Sequence, residues 1–369
     1  MSTQFPESIA RRTGHRSLPL LERRDQGISA VPAVSSVLSA PSALSSGPDG
    51  KLKPTSVRIS VTDRCDFACT YCRPSRNDGY SDGRLMTPAW KTMFQGLKEA
   101  GVRRVRLTGG EPLIHPEILG IVEHLATMGF EDLSLTTNAS QLKKLALPLR
   151  RAGLNRINIS IDSLDPERFR AVTRGGDLHK VLEGIDAAIE AGLSPVKLNV
   201  VVLRGVNDDE IEKILLWAWE KRMVPRFLEV MPIGEGAKLV PDHLITAAEM
   251  KARLRAHLLP EEGAVEPGLG PAKYVRSRLN PALRVGFITG TSDTFCGTCD
   301  RLRVSSTGVL RPCLATDDGV DAANEAQAGD ASAIVRRVDE AWAKKPDGTV
   351  WKGCTEETAK SVSMRAIGG

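Results

Sequence analysis

From Val57 onward, short runs of apolar and β-branched residues alternate with longer stretches whose apolar positions recur at helical spacing. The pattern predicts strands over Val57–Val61, Val105–Leu107, Leu133–Thr136, Arg156–Ile161, Val196–Val202 and Phe227–Met231. Helices are expected between them near Thr87–Ala100, Pro116–Met128, Gln141–Ala152, Leu178–Ala191 and Asp208–Lys221. Gly101, Gly129, Gly153 and Gly192 each stand where one of these helices should stop. Thr87-Pro88 has the form of an N-cap followed by proline at the first helical position. Asn207, with Glu210 three residues on, has the form of a capping box.

Six β-then-α units imply a parallel sheet, because parallel strands need crossover connections. Periodicity leaves open whether that sheet is flat or curls into a barrel. Either way, chemistry should sit in the loops that leave the strand C-termini. Past residue 240 the pattern changes to a helix near Ala247–His257, a Gly/Pro-rich stretch Glu261–Ala272, short strands at Tyr274–Val275, Arg284–Ile288 and Arg303–Ser305, and a helix near Ser332–Lys344. The expected organisation is a leader over 1–52, a sheet domain over 53–240 and a C-terminal region over 241–369. The leader is rich in Ser, Ala, Pro and Val without a steady period, which reads as low-complexity and disordered. Arg11, Arg12, Arg16, Arg23 and Arg24 permit a mitochondrial transit peptide as the alternative, against which Glu7, Glu22 and Asp25 count.

Composition narrows the class. An apolar share of 41% with 26% charged residues is ordinary for a globular protein. No stretch approaches the roughly 18 uninterrupted apolar residues of a membrane span. A net charge of +5 does not imply a nucleic-acid face. A cytoplasmic location is expected, with the mitochondrial matrix as the alternative if the leader is a transit peptide. Cys65, Cys69 and Cys72 form one group, Cys296, Cys299 and Cys313 another, and Cys354 stands alone. Such groups in a chain without a secretory signal read as metal or cluster ligands rather than disulfides.

Cys65-x3-Cys69-x2-Cys72 follows directly on the first strand. A [4Fe–4S] cluster normally takes four thiolates, so three leave one iron open to chelate a small molecule. Zinc is the alternative, but it would want a fourth Cys or His nearby, and the nearest downstream histidine is His115. Tyr71 puts a ring beside whatever binds the open iron. Cys-x3-Cys-x-Tyr-Cys after a first strand resembles the radical S-adenosylmethionine (SAM) superfamily motif. Thr108-Gly109-Gly110-Glu111-Pro112, after the second strand, is similar to that superfamily's GGEP segment, where two glycines let backbone carbonyls approach a ligand. The resemblance implies an incomplete (β/α)6 TIM-type barrel, with SAM bound on the open iron and split to a 5′-deoxyadenosyl radical.

Cys296-x2-Cys299-x13-Cys313 again offers three thiolates, with Arg301 and Arg303 alternating on one side of a strand. Two cations beside a metal site suit an anion such as phosphate; a structural zinc knuckle is the alternative, and it should bring a fourth ligand. Phe295-Cys-Gly-Thr-Cys-Asp-Arg-Leu-Arg, then Leu310-Arg-Pro-Cys-Leu, with a terminal Gly368-Gly369, resembles the GTP 3′,8-cyclase family of molybdenum cofactor biosynthesis from about Val57 to the end. That resemblance implies a second [4Fe–4S] cluster on Cys296, Cys299 and Cys313 that binds guanine, and a lyase that converts GTP to 3′,8-cyclo-7,8-dihydro-GTP. In that reaction the radical abstracts the ribose 3′ hydrogen and C3′ attacks C8. It further implies SAM contacts from Tyr71, Gly110, Ser160 and Met231, GTP contacts from Arg58, Arg106, Thr137, Lys197, Arg301, Leu302 and Arg303, and a Gly368-Gly369 tail that reaches the site. Implied partners are an electron donor such as flavodoxin or ferredoxin and a downstream cyclic pyranopterin monophosphate synthase, with a homodimer as the assembly considered. Neither a membrane nor a nucleic acid is expected as a partner.

The chain departs from the family at Asp66 and Ala68 within the first triad, at Arg73 after it, and at Ile114-His115. None removes a ligand. The rival functions are a peptide-modifying radical SAM enzyme, which usually carries more C-terminal cysteines, and a non-catalytic electron carrier or zinc module.

Overall fold

The computed structural model describes residues 53–260 and 270–346, together with Met364. The leader, Cys354 and Gly368-Gly369 lie outside the described residues. The first half runs β1 (Ser56–Ser60), α1 (Thr87–Glu99), β2 (Arg104–Thr108), α2 (Ile118–Thr127), β3 (Asp132–Thr137), α3 (Leu142–Arg151), β4 (Arg156–Ser160), α4 (Pro166–Val172), α5 (Leu178–Glu190), β5 (Val196–Val202), α6 (Ile211–Glu220) and β6 (Val224–Glu229). There follow α7 (Glu235–His243), α8 (Ala247–Leu254), β7 (Ala272–Arg276), β8 (Arg284–Ile288), β9 (Arg301–Val304), β10 (Val309–Arg311), β11 (Val320–Asp321), α9 (Ala323–Ala328) and α10 (Ala331–Ala343). Each strand and helix expected from periodicity is present, with ends shifted by up to three residues. Short α4, α7 and α9 were not expected, although Asp165-Pro166 is a readable start: the Asp165 carboxylate accepts from Arg168 N.

Two expected caps are not caps. α1 is preceded by Met86 without a side-chain cap, and the Thr87 hydroxyl instead donates to Glu117. Asn207 makes no capping box. Its amide donates to the carbonyls of Asp162 and Val201 at 2.7 and 2.9 Å and accepts from Leu203 N, while Glu210 accepts from the Ser163 hydroxyl and Leu164 N. Both residues therefore tie the loop after β4 to the loop after β5. The four glycines expected to stop helices do carry positive φ.

Among the described residues the strands form one sheet in the order β11-β10-β9-β1-β2-β3-β4-β5-β6-β8-β7. β1 to β6 are parallel and in chain order, β8 adds parallel to β6, and β9 adds parallel to β1. The C-terminal region thus extends the parallel sheet at both of its edges. β8 and β9 stand seven strands apart in the sheet order, and twelve residues including a short 3-10 turn connect them. The sheet is curled, as one concave cavity lined by Arg58, Arg106, Thr136, Ser160, Asn199, Arg226, Ile288 and Arg301 requires. It is a partial barrel, with the 289–300 connection crossing its open side.

Alternation divides the strands. Val57, Ile59, Val105, Leu107, Leu135, Ile157 and Ile159 point outward into a core shared with the helices. α1 contributes Trp90, Met93, Phe94 and Leu97, and α10 contributes Ile334, Val338 and Ala341. The two helices meet at Gly96, where a Cβ would stand 2.4 Å from Ile334 Cβ and 2.8 Å from the Ala331 carbonyl. Gly96→Ala should therefore lower unfolding stability by about 1–3 kcal/mol through overpacking. Gly120→Ala, on the exposed side of α2 with nothing within 4 Å, should be neutral or stabilising by up to about 1 kcal/mol. Urea titration of the two variants checks the contrast.

Candidate active site

The inward positions of the same strands are polar, and register lines them up. Arg303 of β9 lies opposite Arg58 of β1, which lies opposite Arg106 of β2. Across the barrel Asn199 of β5 lies opposite Arg226 of β6, which lies opposite Gly286 of β8. Gly286 is required there, since a Cβ would meet Tyr274 at 2.9 Å and Arg226 Cγ at 3.0 Å. Burial and mutual repulsion hold these cations below their ordinary values. Arg58 is well below, Arg226 is lowered, Arg106 falls to about 9 and Arg303 to about 10. Lys197 is pulled down to about 6 by burial, then by Arg226, Arg156 and Arg106. Two of them donate to neutral groups: Arg226 to Asn158 Oδ1 at 2.7 Å and Arg106 to Ser134 Oγ at 3.3 Å. Asp132 is already committed to Arg156. Arg226 Nε and Asn199 Oδ1 are buried with no hydrogen-bond partner. Such a wall is built to be neutralised by an anion.

The first cysteine triad sits in the loop after β1. Gly109 and Gly110 hold that loop: Gly110 N donates to the Thr62 carbonyl at 2.7 Å and Glu111 N to the Arg64 carbonyl at 2.8 Å. A Cβ on Gly110 would stand 2.2 Å from the Arg64 carbonyl oxygen, one residue before Cys65. The glycine pair is thus required by the cysteine loop itself, besides any ligand. The Glu111 carboxylate accepts from Leu113 N, the Thr137 hydroxyl and Asn138 N, and burial pushes it up to about 8. Arg73 is buried behind the loop, donating to the carbonyls of Cys65 and Phe67 at 3.5 and 3.4 Å and pairing with Asp78. Asp66 accepts from Asn138 Nδ2 at 2.7 Å and Ser140 Oγ at 2.5 Å. Two of the departures from the family pattern therefore brace the loop. His115 accepts from Glu117 N at the end of the following turn.

Burial, with Glu111 beside Cys65 and Asp162 beside Cys69, pushes both thiols up. Protonated thiols in an acidic, desolvated pocket suit a cationic metal cluster, which would replace their protons. Cys65, Cys69 and Cys72 line one cavity with Tyr71, Gly110, Glu111, Thr137 and Ser160. Among the described residues no three His, Cys, Asp or Glu side chains converge on a single-ion site; a cluster instead gives each thiolate its own iron.

The second triad lies on the crossing connection and on the β10 arm. Cys296, Cys299 and Cys313 line the large cavity with Arg58, Arg106, Arg226, Arg301 and Arg303. Here the cysteines differ: burial pushes the Cys296 thiol up, as in the first triad, whereas Cys299 goes the other way. Burial opposes ionisation of Cys299, but Arg301 and Lys345 outweigh it and bring the thiol below its ordinary value. Arg301 also lies 5.1 Å over the Phe295 ring.

The two cavities share Tyr71, Thr136, Ser160 and Met364, so the triads face one continuous space. Tyr71 donates to Asp162 at 2.7 Å, and burial raises that carboxyl to about 6. Met231 lines the large cavity beside Gly290, where a Cβ would meet its Cγ at 2.6 Å. Lys197 is not in the cavity wall; its Nζ lies 5.7 Å from the Tyr274 ring, one layer behind Arg226. Leu302 is fully buried in the outer core, on the face opposite Arg301 and Arg303, so its side chain does not reach the cavity. Sequence reading missed Arg226, Asn199, Asp162, Lys345 and Met364. Arg226 shares the inward parity of Leu228, but Pro225 hid the start of that strand.

Residues 59–218 match the radical SAM superfamily, and residues 223–351 match the family described as Molybdenum Cofactor Synthesis C. The chain is 40% identical over 301 residues to a GTP 3′,8-cyclase of Hydrogenovibrio crunogenus, covering 79% of this chain and 90% of that one. It is 43% identical over 273 residues to that of Marinobacter nauticus, covering 72% and 80%. It is 42% identical over 267 residues to GTP 3′,8-cyclase 1 of Pseudomonas aeruginosa, covering 72% and 81%. Among solved structures, Streptococcus suis SuiB bound to precursor peptide SuiA superposes with a TM-score of 0.55 at 15% identity. That match covers 82% of this chain and 66% of SuiB, just under two thirds, and at such identity it speaks for the fold alone.

Gly110→Ala should displace the Arg64 carbonyl and with it Cys65. Iron bound after anaerobic reconstitution should fall by about four per chain, one cluster's worth, while Gly297→Ala, where a Cβ meets nothing within 4 Å, should leave it unchanged.

Proposed function

This chain belongs to the GTP 3′,8-cyclases of the radical SAM superfamily, and we propose that its buried arginine wall is the seat of the GTP triphosphate. The activity is conversion of GTP to 3′,8-cyclo-7,8-dihydro-GTP in molybdenum cofactor biosynthesis. The observation that carries the assignment of parts is the in-register row of Arg303, Arg58 and Arg106 facing Arg226, in a cavity that also reaches the second triad. GTP carries close to four negative charges, and several fixed guanidinium groups give it both neutralisation and a single pose.

Cys65, Cys69 and Cys72 would hold one [4Fe–4S] cluster, and Cys296, Cys299 and Cys313 another. When bound, the first cluster supplies the electron that cleaves SAM, and the second offers an open iron for the guanine ring. The chain's own residues then divide the work. Tyr71, Gly110, Ser160 and Met231 border the space between the triads and would hold SAM. Arg58, Arg106, Arg301, Arg303 and the unpredicted Arg226 would grip the phosphates. Thr137 contributes through Glu111, to which its hydroxyl donates at 2.7 Å, and Lys197 through its charge behind Arg226. The reaction needs a one-electron donor such as flavodoxin or ferredoxin, and its product would pass to cyclic pyranopterin monophosphate synthase.

A peptide substrate is disfavoured by the same wall, because a backbone offers buried arginines no compensating charge. Anaerobically reconstituted protein should bind about eight irons per chain, two clusters' worth, and release 5′-deoxyadenosine from SAM in the presence of GTP and reductant. SAM cleavage that GTP does not stimulate would sink the cyclase reading. Arg226→Met should raise the KM for GTP by about ten- to a hundredfold, the loss of one charged hydrogen bond, with iron content unchanged.

A further inference from the structure

Lys345 stands just beyond α10 and has no place in the division of work above. Its ammonium carries three protons, and three acceptors surround it: the Pro312 carbonyl at 2.9 Å, the Arg301 carbonyl at 3.3 Å and Cys299 Sγ at 3.5 Å. The Trp342 ring lies 4.2 Å from Nζ. The side chain is delivered by a fixed element, since α10 buries Ile334, Val338 and Ala341 in the core and abuts α1 at Gly96.

The three acceptors belong to different arms of the second triad. Arg301 opens β9, two residues after Cys299. Pro312 immediately precedes Cys313, after β10. β9 and β10 are antiparallel, with Arg303 opposite Arg311, so the arms run side by side until they part around the cysteines. One ammonium bridges the gap where they part. Cys299 N donates to the Cys296 carbonyl at 3.1 Å, which brings the third cysteine into the same unit.

The sulfur that Lys345 touches stands for a thiolate that would bind iron. A charged N–H donor on such a sulfur withdraws electron density from the cluster, stabilises the reduced form and raises the potential. The first triad differs: Cys65 has a neutral amide, Asn138 Nδ2, at 4.0 Å, and lies near Glu111 and Asp66. We propose that Lys345 is the positioning residue of the second triad, tying its two arms together and giving Cys299 the charged hydrogen bond that holds up the second cluster's potential. This rests on the reading of Cys296, Cys299 and Cys313 as a cluster site.

The test uses the full chain with Cys65, Cys69 and Cys72 all changed to Ala, so that only the second triad loads iron. Lys345→Met and Lys345→Arg are compared with Lys345 by iron analysis and by a redox titration followed by electron paramagnetic resonance. The expected result is a more negative potential for Lys345→Met, largely restored in Lys345→Arg. An unchanged potential in Lys345→Met with iron retained overturns the proposal, whatever happens to GTP affinity. If Lys345→Met loses its iron, Lys345→Gln, which keeps N–H donors without charge, is read instead. An intermediate potential then supports the proposal and the original potential overturns it. In the chain with both triads intact, Lys345→Met should lower kcat with little change in the KM for GTP; a raised KM alone would make Lys345 a phosphate contact and refute the positioning role. Failure of the unsubstituted chain to cleave SAM in response to GTP would remove the functional reading and leave the potentials to decide on Lys345.

Discussion

Like charges packed on one face of a buried sheet repel, and much of this molecule is arranged around that cost. Arg226 and Arg303 are buried and Arg58 and Arg106 half-buried; they share one concavity with Arg301, and desolvation with neighbouring cations depresses their pKa values. Strand register, which hydrophobic packing on the outer face fixes, forces them together. Burial limits the screening that solvent gives them, so an anion of several charges would relieve an electrostatic penalty on binding. On the proposed reading, affinity for a triphosphate and the polar lining of the barrel would be the same property seen from two sides.

The reactive ends are held by backbone as much as by side chains. The cysteine loop after β1 lies on Gly109 and Gly110 too closely for any side chain there. The connection from β8 to β9 crosses the open side of the curled sheet, and crossing it sets Cys296 and Cys299 against the cation wall. The triads differ in their surroundings: Glu111 and Asp162 stand beside the first, Arg301 and Lys345 beside Cys299 of the second. Tyr71, Ser160 and Met364 lie where those environments meet.

Much of this was legible in the chain because it is local. The βα repeat follows from apolar spacing, and the triads follow from cysteine spacing. Lines of side chains across strands were not legible, since alternation says that Arg58 and Arg106 each face inward but not that they face each other. Arg226 escaped because Pro225 sits inside a central strand, where proline is rarely found. Lys345 looks like one of two ordinary lysines after a helix, and only packing brings it to Cys299. The glycine pair suggests close approach to a ligand, whereas its tightest neighbours are Thr62 and Arg64. Leu302 stands between two arginines in the sequence, yet strand parity turns its side chain into the core.

The central claim is that this crowded wall accepts the GTP triphosphate, and proton uptake on binding tests it most directly. Lys197, held at about 6 without an anion, is neutral at pH 8. Phosphates near it would return its pKa toward the ordinary range, and above pH 6 that return takes up a proton. Calorimetric titration of GTP into the anaerobic holoprotein at pH 8, in buffers of differing ionisation enthalpy, should show uptake approaching one proton, lost in Lys197→Met. Binding with no net uptake, or with proton release, would contradict the account.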